Sequence, residues 1–281
     1  MTAIPHTALD PAPYRTADER ESDLRALMRS LGRVLVAYSG GVDSSYLAKV
    51  ATEELGSEAR CVMGISPSVS EAQHYAATEI AERFGLNVEY IKTDEMEAPE
   101  YTANPHNRCY FCKSELYGKL GAIAARDGVE HILDGTNKDD LSDHRPGRIA
   151  AGENGVRSPL AELGFTKADI RERSRELKLP TWDKPASPCL SSRIAYGTPV
   201  TIARLGKVER GEEILREMGF RVFRVRVHDE LARIEIATDE IAAALDKKRF
   251  SEIAVRFEKL GFRFVTLDMN GFRSGSMNEA N

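Results

Sequence analysis

Two groups of residues in this 281-residue chain have types and spacings suited to chemistry. The first is Ser39-Gly40-Gly41-Val42-Asp43-Ser44-Ser45, which follows the apolar run Val34–Tyr38 and precedes the helical pattern Tyr46–Ala51. A strand, a glycine-rich turn and a helix start bring several backbone N–H groups around one point. The helix macrodipole adds positive potential there, and Ser39, Ser44 and Ser45 add hydroxyls. The expected product is an anion nest suited to a pyrophosphate, with Gly40 and Gly41 permitting the tight turn. The GxxxxGK[ST] spacing and its lysine are absent, so this is not a Walker P-loop. The second group is a CxxC pair, Cys109 and Cys112, with Cys189 in a distant proline-rich stretch.

Three thiols admit more than one reading. A redox pair needs a thioredoxin-like context, and the glycine-rich turn already claims the α/β sheet. Zinc needs a fourth N, S or carboxylate ligand, and His106 is at hand. Three thiolates also match a [4Fe–4S] cluster with one iron left for an exogenous ligand. Arg108, Lys113 and Arg193 flank the sulfurs and favour thiolates. The fourth cysteine, Cys61, lies inside an apolar strand and reads as a small core residue.

The elements that must position these groups follow from periodicity. Helices are expected over about 18–31 and from the capping-box string Ser70-Glu71-Ala72-Gln73 to about Phe84. Strands are expected at Val34–Tyr38, Ala59–Ile65, Val88–Ile91 and His131–Leu133. This alternation implies an α/β fold, a doubly wound parallel sheet whose ligands lie beyond the carboxyl ends of the strands. Ser39–Ser45, Gly64 and the Asp134-Gly135-Thr136-Asn137 string would converge there. Residues 180–199 read as a long functional loop. Beyond Thr201 come a helix, two strands joined by His228–Leu231, more helices and a strand at Arg263–Leu267, which makes a smaller α+β domain. The expected division is a disordered lead-in at 1–17, a nucleotide domain at 18–199 and a C-terminal domain at 200–281.

Composition excludes several classes. With 39 basic and 44 acidic residues and a net charge of −5, the chain is an unpromising dedicated nucleic-acid binder. No apolar run approaches a membrane span and no secretory h-region is evident, so a soluble cytoplasmic enzyme is expected.

The glycine-rich string resembles the SGGxDS PP-loop of the N-type ATP pyrophosphatases, whose fold is adenine nucleotide alpha hydrolase-like. That resemblance implies cleavage of ATP to AMP and pyrophosphate. A narrower resemblance rests on Asn104–Lys113, Asp134–Asn137, Val156–Leu160, Pro188–Ile194 and Arg224–His228. Together these are similar to the LarE family of ATP-dependent sulfurtransferases, which thiolate pyridinium-3,5-biscarboxylic acid mononucleotide on the way to the nickel-pincer nucleotide. The resemblance implies ATP and Mg²⁺ as cofactors, with Asp43 and Asp140 the nearest Mg²⁺ candidates and Ser39–Ser45, Gly64, Gly135 and Thr136 around the nucleotide. Asp43 alternatively caps its helix, and Asp139 and Asp140 alternatively form a solvated turn.

One branch of that family sacrifices the sulfur of a single cysteine matching Cys189. The presence of Cys109 and Cys112 places this chain with the three-cysteine branch, in which a [4Fe–4S] cluster carries sulfide from an external source. The resemblance also gives Arg224, Arg226 and Arg193 to the substrate's phosphate. Arg224 and Arg226 share a strand face. Their alternative reading is a charged, solvated edge strand. A small domain seen in isolation would not reach its own active site, so these arginines are expected to act across an interface in a homo-oligomer. Competing functions are a tRNA thiolase, an ammonia-using PP-loop synthetase and a nucleotide-binding metal sensor.

Overall fold

A computed structural model describes residues 15–142, 146–185, 187–273 and 275–277. Most of the lead-in expected to be disordered therefore lies outside the described residues. In chain order the first part comprises α1 (Ala17–Leu31), β1 (Val34–Ala37), α2 (Val42–Leu55), β2 (Ala59–Ile65), α3 (Glu71–Phe84), β3 (Asn87–Lys92), α4 (Pro99–Thr102), α5 (Arg108–Asp127), β4 (His131–Leu133), α6 (Pro146–Glu153), α7 (Pro159–Glu162) and α8 (Lys167–Glu176). The strands form one parallel sheet in the order β3-β2-β1-β4.

Alternate side chains of β1 serve opposite cores. Val34 and Val36 join Leu24 and Met28 of α1 and Leu47, Val50 and Ala51 of α2, whereas Leu35 and Ala37 join Tyr117, Leu120 and Ile123 of α5. Helices cover both faces, which is why β1 is buried along its whole length. Cys61 is fully buried in the α1/α2 core, and burial pushes its thiol up to about 12, as befits a core residue.

The second part contains α9 (Ile202–Glu217), β5 (Phe223–His228), β6 (Leu231–Ile236), α10 (Ile241–Ala244), α11 (Lys247–Lys259) and β7 (Phe264–Leu267). Its sheet runs β5-β6-β7, antiparallel between β5 and β6 and parallel between β6 and β7. The β5–β6 hairpin turns through Asp229, at φ 51°. Its core also takes in Tyr101, Leu190, Ile194 and Val200 from earlier in the chain. The stretch 188–200 is thus packed against the second sheet, and Ile194 bridges Val227 of β5.

Cys109 and Cys112 are the second and fifth residues of the 20-residue α5. The capping box expected at Ser70 is half made: Ser70 accepts from the Gln73 amide, but the Gln73 side chain donates to the Ser39 carbonyl at 3.5 Å.

Candidate active site

The glycine-rich turn lies at the carboxyl end of β1, and Asp134–Asn137 at that of β4, on either side of the point where strand order reverses. Gly41 is the N-cap of α2 and makes no side-chain capping bond, so Val42, Asp43, Ser44 and Ser45 form the first helical turn. The amides of Gly41–Ser44 are those that an α-helix leaves without an internal partner. Gly40 is left-handed at φ 70°, and a Cβ there would come within 2.5 Å of Ala77 Cβ. At Gly135 a Cβ would stand 2.9 Å from the Ser44 nitrogen, so the β4 turn is pressed against the helix start. Gly64 is similarly crowded, by Thr93 and Leu116.

The serines divide their roles. Ser39 is exposed at the mouth of the turn. Ser44 Oγ closes the turn internally, accepting from the Ser39 amide at 3.2 Å and lying 3.0 Å from Ser39 Oγ. Ser45 is fully buried and faces the core instead of the nest. Thr136 is likewise engaged, since its amide and hydroxyl both donate to the buried Asp134, at 3.1 and 2.9 Å. Tyr117 and Ser158 complete that carboxylate's shell.

Asp43 does not cap its helix. It accepts from Lys167 Nζ at 2.6 Å and from Asn137 Nδ2 at 3.3 Å. Burial pushes its carboxyl above the usual range; Lys167 opposes that shift and the nearby Asp140 adds to it. Asp140 is buried and accepts from the Asn137 amide at 3.2 Å, while Asp139 accepts from the Lys167 amide at 2.8 Å. The solvated-turn alternative thus holds for the exposed Asp139 and fails for Asp140. Two carboxylates near one helix N-terminus suit Mg²⁺, which binds through one or two carboxylates plus phosphates. Lys167 was missed by the sequence reading, because an isolated lysine at a helix start carries no local signal.

The three thiols are neighbours. Burial, then Cys189, raises the Cys109 thiol, against the pull of Arg108 and Lys113. Burial, Cys189, Glu95 and Cys109 raise Cys112. At Cys109 and Cys112 the basic neighbours therefore do not prevail in making thiolates, because desolvation outweighs them. Arg108 also donates to Asn104 Oδ1, and Arg193 to Glu212. His106 stacks on Tyr196, with centroids 4.2 Å apart. Among the described residues no three His, Cys, Asp or Glu side chains close around a single metal ion. A four-iron cluster asks for a different arrangement, one thiol at each of three separate corners, and three cysteines from two segments, one exposed and two half-buried, offer that donor set. Glu95 also went unread: it is buried, takes Ser68 Oγ at 2.8 Å, and its second oxygen has no hydrogen-bond partner among the described residues.

The arginines exclude the solvated-edge alternative. Arg224 and Arg226 are buried, so β5 presents no solvated charged face. They also reach the cysteine loop of their own chain: Arg226 Nη1 donates to the Ser192 carbonyl at 3.3 Å, and Ala195 N donates to Val227 O at 3.0 Å. No second subunit is needed to bring them there. Arg226 pairs with the fully buried Glu235 at 2.9 Å. Arg224 donates to its neighbour's carbonyl, Phe223 O, and lies over Phe272. Its guanidinium is pushed down to about 10, by burial first and then by Arg193, with Glu212 opposing and Arg226 adding. Arg193 is a brace: Glu212 at 3.0 Å and the carbonyls of Pro188 and Cys189 occupy it.

A glycine-rich nest between a buried parallel strand and a helix start, with no P-loop lysine, defines an ATP-using α/β enzyme of the PP-loop class. In keeping with this, the family model for NAD synthase matches residues 24–111. The chain is 38% identical over 266 residues to the pyridinium-3,5-bisthiocarboxylic acid mononucleotide synthase of Lactiplantibacillus plantarum, covering 94% of this chain and 95% of that protein. It belongs to that synthase's family, the LarE family. Uncharacterized proteins of Synechocystis (slr1717; 45% identity, 93% of this chain and 97% of the relative) and Methanocaldococcus jannaschii (MJ0830; 33%, 86% and 91%) resemble it along most of their length. Among the described residues no helix is long and apolar enough to cross a membrane.

Proposed function

We propose that this protein is a cytoplasmic ATP-dependent sulfurtransferase that converts the carboxylates of pyridinium-3,5-biscarboxylic acid mononucleotide to thiocarboxylates. A carboxylate is a poor acyl donor because its leaving group would be oxide. Attack of its oxygen on the α-phosphorus of ATP forms an acyl-adenylate and releases pyrophosphate; sulfur then adds to the acyl carbon and AMP leaves. The amides of Gly41–Ser44, with the exposed Ser39, stabilise the departing pyrophosphate. Asp43 and Asp140 would hold Mg²⁺, which neutralises phosphate charge.

Cys109, Cys112 and Cys189 would hold a [4Fe–4S] cluster, whose fourth iron supplies a sulfide obtained from an external source. Arg224 and Arg226 bind the mononucleotide's phosphate. Burial first, and then the nearby Arg193 and Arg226, push the Arg224 guanidinium down, and an entering phosphate would favour its charged form. Arg193 keeps Cys189 at the edge of that site. The observation that carries this reading is the bond from Arg226 to the Ser192 carbonyl, which unites the anion site and the sulfur loop in one chain. A homo-oligomer remains part of the proposal, without a need for shared sites.

Incubation with ATP, the dicarboxylate mononucleotide and sulfide under anaerobic conditions should yield AMP, pyrophosphate and thiocarboxylate. Products of ADP and orthophosphate would refute the assignment. Cys→Ser changes at positions 109, 112 and 189 should each abolish the visible absorbance of the reconstituted protein. Loss of sulfur from Cys189 by mass in a single turnover would replace the cluster with a sacrificial route.

A further inference from the structure

We infer that Asn104 is a positioning residue that fixes the CxxC helix against the Cys189 loop. The idea rests on the reading above, in which the three thiols act together. Asn104 is fully buried and left-handed, at φ 58°. Its Oδ1 accepts from the buried Arg108, the residue before Cys109 and the first of α5. Its Nδ2 faces the carbonyls of Ala195 and Thr198, each at 2.8 Å, and of Ile194 at 3.3 Å. The amide orientation is dictated by its partners, since carbonyls cannot donate and a guanidinium cannot accept.

The Asn104 carbonyl also takes the Gly197 amide at 3.0 Å, and Thr102 O takes the Val200 amide at 2.8 Å. Tyr101 OH meets Ser191 Oγ at 2.6 Å, two residues after Cys189. One short turn thus grips the sulfur loop at its start, middle and end, and grips the CxxC helix by its first residue.

An ordinary explanation for a left-handed asparagine is a helix C-terminus, and α4 does end just before it. That role needs only backbone conformation. It does not require complete burial, nor a side chain spent on partners about ninety residues away. Glycine would satisfy the backbone equally well, so the amide is present for its two-sided bonding. A positioning error of about 1 Å can cost a reaction about a hundredfold, and sulfur delivered from three ligands on two segments is exposed to such error.

The test is Asn104→Gly, which keeps the backbone conformation and removes the side chain, read by amide hydrogen exchange in the full chain. Protection at 190–200 should fall about tenfold or more, while that of β1 and β2 stays at the parent value. Thiocarboxylate formed per pyrophosphate released should fall about tenfold or more. Asn104→Asp keeps the bond from Arg108 but turns an acceptor toward three carbonyls, and should give the same local loss; it decides the matter if the glycine variant does not fold. Unchanged protection at 190–200, uniform loss throughout the chain, or an unchanged sulfur-to-pyrophosphate ratio would each overturn the inference. A parent protein that makes pyrophosphate and no thiocarboxylate would instead refute the sulfur-transfer reading, with the exchange result still standing for the latch.

Discussion

Replacing Asp43 by asparagine should make the ligand-free protein as stable as the parent, or more stable, while disabling it. Asp43 stands at the start of α2 with a 2.6 Å bond from Lys167, a contact that would ordinarily be counted as stabilising. Its side chain is 22% exposed and that of Lys167 38%, so the pair is worth about 0–1 kcal/mol. Against this, burial and Asp140 together outweigh Lys167 and hold the carboxyl above its ordinary value of 3.8.

The folded state therefore keeps a proton on Asp43 to higher pH than the unfolded chain does. Between the two values the folded state binds more protons, so stability falls as pH rises through that window and stays lower above it. Asparagine has the same shape, carries no charge to desolvate, and can still meet Asn137. The net change expected at pH 7 lies between about zero and about +1 kcal/mol. Pyrophosphate release should fall on the order of a hundredfold or more, because the proposed Mg²⁺ site would lose one of its two carboxylates. Urea unfolding of both proteins at pH 4 and pH 7, beside a pyrophosphate assay, measures both quantities. A loss above about 2 kcal/mol at pH 7, or a stability difference that does not change between the two pH values, would refute the balance of forces argued here.

Other expectations follow from particular contacts. Gly135→Ala would force a methyl against the Ser44 nitrogen at 2.9 Å, displacing the start of α2; a loss of about 1–3 kcal/mol and a weakened ATP titration are expected. Arg226→Ala strands the fully buried Glu235 with Arg233 and Ser276 and should cost about 3 kcal/mol in urea unfolding. Arg226→Met with Glu235→Leu should recover most of that stability without recovering mononucleotide binding by calorimetry. Glu21 is opposed by burial, but bonds from Arg173, Arg25 and Tyr46 prevail and hold its carboxyl below 4.5. Its contribution is therefore present above that pH and lost as pH falls below it, and Glu21→Gln should flatten the acid limb of a melting-temperature profile.

Much of the α/β part was legible from local pattern. β2 spans the residues that hydrophobicity marks out, and the boundaries of α1, α3 and β4 fall within about one residue of expectation, because a two-sided sheet demands continuous apolar strands and its helices carry their own caps. The glycine and serine spacing of the phosphate turn was equally readable, since one short segment builds it.

What sequence could not decide was how segments far apart in the chain meet. The CxxC pair gives no local sign that it opens α5, whose buried stripe of Tyr117, Leu120, Ile123 and Ala124 lies well downstream of the cysteines. For Arg224 and Arg226 the strand pattern alone allows a solvated edge as well as a phosphate site. They are buried because residues 188–200 fold across β5, a contact that leaves no trace in the pattern of either segment alone. Lys167, Glu95 and Asn104 gained their roles in the same way. Periodicity reports which face of an element meets a core, whereas the partner of a buried polar group is chosen only when the chain closes and each desolvated donor must find an acceptor.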